Sequence, residues 1–494
     1  MHQSTKVIPP KLVGLFLIIS LGMTTAFLMS SASMTNAVAL SLALIMFAVA
    51  FLKTEVALYM LIFSMLLSPE INFGAMNEAG VEGGRSVVIR LDDLFLLLMA
   101  FGWLAKNAVI KSMGLIEKTP LNNKIYIYVA SFVLATGAGI LYGHVEVLLG
   151  LFNVIKFVEY FVLYFLVLNN IESLDRAKRL MKTALLVSVI IYLYALIQLP
   201  SGNRVSAPFE GEGGEPNTLG GYIVLMVSIT LAFFLETYDL RKRILYGAIS
   251  GLGVIALLYT ESRSSYIGMF FAIVILIFYV RRRNLLLLCV VVTIMFSSIL
   301  LPGRVIERIA YTFEGDEQSD NPFAESSRKV DTSTKARLDT WGVAFDAWKK
   351  HPILGYGVTG FKFIDSQYFK ILVETGVVGL LTFILLLMKM KTEIKKMIKY
   401  AKGKDEFMYC VTIGFYAGFI GLLGHAIGTN TFIIIRIMEP YWLIAGIVMS
   451  IPKVLPATVK KSPAGEGEDS ETVPILAGEE PREEHDDINR FLNK

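Results

Sequence analysis

The chain has 494 residues, 54% of them hydrophobic and 18% charged, with a formal charge of +4 and a mean hydropathy of +0.60. This is too apolar for a water-soluble globule of that length, and repeated apolar runs of about 18–22 residues, without ten-residue alternation, exclude an outer-membrane barrel. The two cysteines, Cys289 and Cys410, both lie inside apolar runs, which excludes a disulfide framework and a cysteine metal site.

The composition predicts an all-α polytopic membrane protein. In chain order its spans are expected near 12–30, 35–52, 55–68, 91–110, 123–142, 147–169, 182–200, 218–236, 243–260, 264–280, 284–301, 367–388, 406–424 and 431–452, about fourteen transmembrane helices in all. The first follows Lys6 and Lys11 as a signal peptide would, but it is long for one and fits the charge alternation, so it is read as a helix. Lys106/Lys111/Lys118, Arg176/Lys178/Arg179, Arg241/Lys242/Arg243, Arg281/Arg282/Arg283 and the cluster Lys389 to Lys404 fall in every second connection. Those connections are predicted to be cytoplasmic, with both termini inside. Three connections on the opposite side are more than turns: 68–90, 200–217 and a large loop at 302–366, before the twelfth span. Residues 1–452 thus form one transmembrane domain. Residues 453–494 form a tail that is acidic, rich in Gly and Pro, and expected to be disordered and cytoplasmic. No repeat of 20–50 residues is visible, nor a pair of matching broken helices.

An ionisable residue at membrane depth must be paired or face water. Lys156 and Glu159 in "NVIKFVEYF", and Arg436 and Glu439 in "IIIRIMEPYW", are each three apart and so share a helical face, as internal ion pairs or as the floor of an outward cavity. Arg263 sits at a tight outer turn in "YTESRSSYIG", and Arg204 opens "NRVSAPFEGEGGEPNTLGGYI". Arg304, Arg308, Arg328 and Arg337 decorate the large loop. A guanidinium fork with permanent charge suits a diphosphate leaving group, although loop arginines also snorkel to headgroups. "DAWKKHPILGYGVTGFKF" reads as an amphipathic helix stopped at Pro352 and followed by a Gly-Tyr-Gly turn, in which His351 is a cap, an anchor or a base. Asp365, one turn before the next span, suits either a helix cap, with Ser366 as its rival, or a general base at the water interface. Asp92 and Asp93 in "LDDLF" are the alternative carboxylates, as caps, metal ligands or the base. No histidine cluster has metal-ligand spacing, no phosphate-binding Gly-x-x-x-x-Gly-Lys loop is present, and no nucleic-acid partner is expected.

Together these pieces resemble the O-antigen ligase and polymerase superfamily of bacterial envelope enzymes. "SRSSYIG" at 262–268 resembles the family's Ser-Arg at an outer turn, and "RVSAPF" with "EPNTLGGY" resembles its Arg-to-Pro-Asn outer loop. "HPILGYGVTGF" at 351–361 resembles its His-Pro-apolar-apolar-Gly-x-Gly signature, and "YFKILVETGVVGLL" at 368–381 resembles the pattern opening the next helix. The likeness runs in order over roughly 90–450. Ligases resemble one another in a His-Asn pair where this chain has Asp365-Ser366, and an acidic residue there looks more like the Wzy-type polymerases.

The resemblance implies a metal-independent, inverting glycosyltransferase of the bacterial inner membrane, with its site facing the periplasm. Such an enzyme polymerises undecaprenyl-pyrophosphate-linked oligosaccharide repeat units and releases polyprenyl pyrophosphate, with no cofactor. Its implied partners are that lipid-linked substrate, membrane lipid, a chain-length regulator and a flippase. Asp365, Arg263 and Arg337 would be catalytic, and Arg204, His351, Tyr356, Tyr368, Glu374 and Arg436 would bind substrate. The alternatives are a ligase transferring polymer to lipid A-core and a lipid-linked oligosaccharide flippase. A flippase would be expected to show pseudo-symmetric halves and modest outer loops, whereas this chain elaborates one face.

Overall fold

A computed structural model describes residue 49 and residues 53–68, 70–72, 88–109, 116–210, 214–295 and 332–455. The predicted span at 12–30, all but Val49 of that at 35–52, Arg304, Arg308, Arg328 and nearly all of the tail lie outside the described residues. In chain order the elements are α1 (Thr54–Leu67), β1 (Glu70–Asn72), β2 (Val88–Arg90), α2 (Leu91–Val109), α3 (Asn122–Leu141), α4 (Val147–Asn170), α5 (Leu174–Ile197) and α6 (Pro216–Glu236). They continue with α7 (Leu240–Tyr259), α8 (Arg263–Tyr279), α9 (Arg283–Met295), α10 (Thr332–Trp348), α11 (Gln367–Ala401), α12 (Glu406–His425), α13 (Ile435–Met449) and α14 (Ile451–Val454). The architecture is all-helical as expected, with one short addition in the 68–90 connection: β1 and β2 pair antiparallel, Glu70 opposite Arg90 and Asn72 opposite Val88. Among the described residues seven helices are long and apolar enough to cross a membrane, namely α3 to α7, α11 and α12; α1, α8 and α9 are shorter apolar helices.

Two helices overrun their predicted spans because their polar ends are helix formers. Ser173 accepts a hydrogen bond from the Arg176 N–H and starts α5 eight residues before the apolar run, so the basic residues Arg176, Lys178 and Arg179 are helical. Likewise α11 runs through its lysines to Ala401, with Lys389 and Lys396 each pairing at 3.0 Å with the buried Glu393.

The core is built around α6, whose apolar window is 89% buried. It packs against α7, α8, α12 and α13. Gly414, Gly418 and Gly421 of α12 make this closeness possible. A Cβ on Gly418 would stand 2.9 Å from the Leu225 side chain, and one on Gly421 would stand 2.8 Å from the Gly268 carbonyl of α8. The same core extends through α3, α4 and α13 by aromatic rings, among them Phe132 stacked on Phe157 at 3.7 Å and Phe161 edge-on to Trp442 at 4.8 Å.

Alternate connections gather at opposite ends of the bundle. At one end Lys178 Nζ meets Asp405 at 2.5 Å and Tyr238 N–H meets Glu406 Oε1 at 3.3 Å, which unites the basic connections. At the other end Val205 N–H donates to the Tyr259 carbonyl at 3.1 Å, Gln367 N–H donates to the Ala426 carbonyl at 3.1 Å, and Gly357 packs on Gly139. This second end carries the candidate site.

Candidate active site

The stretch 351–361 repairs a break in α11. Gly376 has φ +64 inside that helix, so its backbone hydrogen-bond ladder is interrupted. The orphaned carbonyls of Val373 and Glu374 accept from the N–H groups of Tyr356 at 3.0 Å and Gly357 at 2.8 Å. The orphaned N–H of Val377 donates to the Pro352 carbonyl at 2.9 Å, and that of Val378 donates to Ile353 at 3.3 Å. Gly355 and Gly357 take positive φ to lay this turn against the kink. Trp348 closes the preceding helix onto the turn, its indole donating to the Pro352 carbonyl at 3.1 Å. The proline thus stands four residues past the end of α10.

The loop carried by this mend brings Asp365 to Arg337 of α10, Oδ2 to Nε 3.9 Å. Their side chains are 43% and 24% exposed, so the pair faces solvent. Helix α11 starts at Gln367 with Ser366 at its cap position and no side-chain capping bond, so neither Asp365 nor Ser366 serves as the expected cap. Arg337 also approaches the α12–α13 connection, which in turn touches α8. A Cβ on Gly428, in the α12–α13 connection, would stand 3.7 Å from Arg337 Nη1 and 2.7 Å from Ser264 Oγ. Ser264 is the second residue of α8, directly after Arg263.

The start of α8 is tied to the start of α6. Ser262 caps α8, accepting from Ser265 N–H at 3.3 Å, and its hydroxyl donates to Asn217 Oδ1 at 2.7 Å. Arg204 secures the turn from behind, its Nε donating to the Thr260 carbonyl at 2.9 Å and its Nη2 to the Glu261 carbonyl at 3.5 Å. Glu261 holds a left-handed φ of +49, a conformation that a non-glycine residue keeps only with such support. Arg204 therefore acts on the backbone before Arg263. Ser264, Arg337, Asp365 and Gly428 thus come together from α8, α10, the α10–α11 loop and the α12–α13 loop, with Arg263 the residue before Ser264. The site holds the Arg337 guanidinium and the Asp365 carboxylate near the N-terminus of α8, which Arg263 opens, an electrostatic setting for a phosphorylated ligand.

Residues 248–384 match the O-antigen ligase family. The match covers a little over a quarter of the chain, from α7 into α11, and it includes Arg263, Arg337, His351, Tyr356, Asp365, Tyr368 and Glu374. It supports membership of the O-antigen ligase/polymerase superfamily and a glycosyltransferase-like activity for a multi-pass membrane protein. Among curated proteins nothing matches the chain.

Within the matched segment, several predicted substrate-binding side chains are occupied by the fold. Glu374 is 4% exposed, and its Oε1 takes the Thr359 N–H at 3.1 Å and pairs with Lys370. Tyr356 donates to the Ala347 carbonyl at 3.4 Å and rings His351 and His144, at centroid distances of 4.5 and 5.0 Å. His351 is thus an anchor in an aromatic cluster. Tyr368 donates to the Leu423 carbonyl at 2.8 Å, linking α11 to α12.

Outside the matched segment, the charged residues of the spans form a separate network. Arg436 and Glu439 do not pair with each other. Arg436 is 2% exposed and donates to the Pro208 carbonyl at 2.6 Å and the Leu66 and Phe209 carbonyls at 3.4 Å, with Glu210 Oε1 at 3.9 Å. Glu439 instead faces Arg90 at 3.6 Å, and Arg90 also pairs with Asp92, which takes the Ser68 hydroxyl at 2.5 Å. Lys156 meets Asp93 closely and Glu159 at 3.9 Å. Asp92 and Asp93 are consumed here rather than free to act as the base. In the loop, burial pushes the Glu210 carboxyl up from 4.5 to about 7, although Arg436 and the N–H groups of Glu215 and Ala207 pull it down.

Sequence reasoning missed Ser264, Asn217, Gly428 and the polar residues of 425–431. The available signal was the run "HAIGTNT" in a connection between two apolar spans, too short to stand out as a loop.

Proposed function

We propose that the chain is an inner-membrane glycosyltransferase that polymerises undecaprenyl-pyrophosphate-linked repeat units on the periplasmic side. The observation that carries this reading is the half-exposed Arg337–Asp365 pair standing beside Ser264 and Gly428 at the start of α8. In the proposed step a sugar hydroxyl of one lipid-linked repeat attacks the anomeric carbon of another. The bond from that carbon to the pyrophosphate oxygen breaks with inversion, the hydroxyl proton passes to the Asp365 carboxylate, and polyprenyl pyrophosphate departs. Arg263 and Arg337 offset the negative charge that grows on the leaving group, which is where fixed donors accelerate such a reaction. Arg204 acts as a positioning residue for Arg263 through the Thr260–Glu261 backbone.

The decisive test is the purified protein in lipid discs with polyprenyl-pyrophosphate-linked repeat units. A ladder at repeat-unit spacing with release of polyprenyl pyrophosphate is expected. Arg263→Ala and Arg337→Ala are expected to lower its rate about 10²- to 10³-fold, and Asp365→Asn by about 10² or more. Unchanged rates in both arginine variants would overturn the pyrophosphate assignment. A second reading, transfer of finished polymer to lipid A-core, draws on the matched family's own description as a ligase. Product formed only after lipid A-core is added would establish it. The Asp365-Ser366 pair, in place of the ligases' His-Asn, favours the polymerase.

A further inference from the structure

We infer that the α12–α13 loop, together with Gln367 of α11, is a sugar-reading subsite that recognises the hydroxyls of the glycan whose pyrophosphate lies on Arg263 and Arg337. The inference rests on the glycosyltransferase reading and adds to it the residues that would distinguish a glycan-bearing carrier from the bare one.

Three side chains here are almost wholly buried: Gln367 at 0% exposure, Asn430 at 3% and Thr429 at 6%. Yet Gln367 Nε2, Asn430 Oδ1 and Thr429 Oγ1 have no hydrogen-bond partner among the described residues. A buried polar atom left unpaired costs on the order of 1–3 kcal/mol, so three gathered on one short loop and the residue it binds call for a ligand. Two of these side chains are held by their other polar end. Asn430 Nδ2 donates to the Ile364 carbonyl at 2.8 Å, and Gln367 Oε1 accepts the Phe432 N–H at 2.8 Å. Each is therefore fixed in orientation and leaves one atom to offer.

The offered atoms identify the ligand class. Gln367 Nε2 is a donor, Asn430 Oδ1 an acceptor, and Thr429 Oγ1 can be either. A phosphate, which only accepts, would leave Asn430 Oδ1 opposed by negative charge, and a lipid tail would satisfy none of the three. Sugar hydroxyls both donate and accept, and they match the mixed set. The position agrees: Gly428 of this loop lies against Arg337, and Ile364 and Gln367 flank Asp365 and Ser366.

The experiment measures binding of undecaprenyl pyrophosphate, bare and carrying the lipid-linked oligosaccharide extracted from the host cells, to the full chain in lipid discs. Wild type is expected to bind the glycan-bearing carrier about tenfold or more tightly. Thr429→Val removes only a hydroxyl that the fold does not use. It is expected to keep thermal stability and affinity for the bare carrier while losing severalfold to about tenfold of the preference, and Thr429→Ser is expected to restore it. Equal affinity of wild type for the two carriers, or a full preference retained in Thr429→Val, would overturn the subsite while leaving the polymerase reading intact. Binding of neither carrier would overturn both.

Discussion

Arg436 and Glu439 lie three residues apart on α13, where periodicity alone pairs them, but each finds a nearer partner on another element. Residue spacing reports a shared helical face; it does not report what packs on that face. Ser264 and Arg337 are the opposite case, since they are seventy-three positions apart in the chain and both flank Gly428. At this scale Glu210 gives a pH prediction. Its carboxyl is pushed above the ordinary range in the folded loop, so the folded state holds the proton more tightly than the unfolded one. The attachment of 204–210 to α13 is therefore expected to be firmest below about pH 4.5, to weaken as pH rises from 4.5 to about 7, and to be constant above that. Hydrogen exchange of 204–210, corrected for intrinsic rates, checks this, and Glu210→Gln is expected to flatten the profile.

At the scale of elements, the break in α11 and the turn that mends it form one unit. Gly376 supplies the positive φ, and the backbone of 352–357 supplies four hydrogen bonds to the helix ends thus exposed. The glycines of the Gly-Tyr-Gly turn were legible as turn formers, but their partner in α11 was not, because "VETGVVGLL" reads as continuous apolar helix. Gly376→Ala would drive a Cβ into the Ile353 carbonyl and force a left-handed alanine. A loss of roughly 1–3 kcal/mol is expected. Thermal unfolding in detergent measures it, and product formation should fall with it although glycine has no chemistry of its own, because the same turn delivers Asp365. Unaltered stability would mean that the turn and the kink are not coupled.

Across the whole molecule, α2, α4 and α13 are joined by a buried network with two cations, Arg90 and Lys156, and four carboxylates, Asp92, Asp93, Glu159 and Glu439. Removing a cation leaves buried carboxylates unopposed, whereas neutralising a carboxylate moves the cluster toward balance. Arg90→Ala is thus expected to cost about 3–5 kcal/mol, while Glu439→Gln, which keeps the side chain's shape and removes one of the four carboxylates, is expected to be near neutral. Chaotrope or thermal unfolding of the two variants separates them, and equal losses would show that the excess negative charge is not a burden. Apolar length and alternate basic loops determined from the sequence alone that this is a helical membrane bundle with its elaborated loops at one end, because bilayer transfer energy depends on composition over a window and on nothing distant. The motifs at 262–268 and 351–361 likewise pointed to Arg263 and the Asp365 loop. Which polar side chains would be spent on holding the fold, as Glu374, Tyr368 and Arg436 are, and which would be left facing one another, as Arg337 and Asp365 are, only the tertiary structure decided. Hydrogen bonds and ion pairs act over a few ångströms, and those neighbours come from elements far apart in the chain.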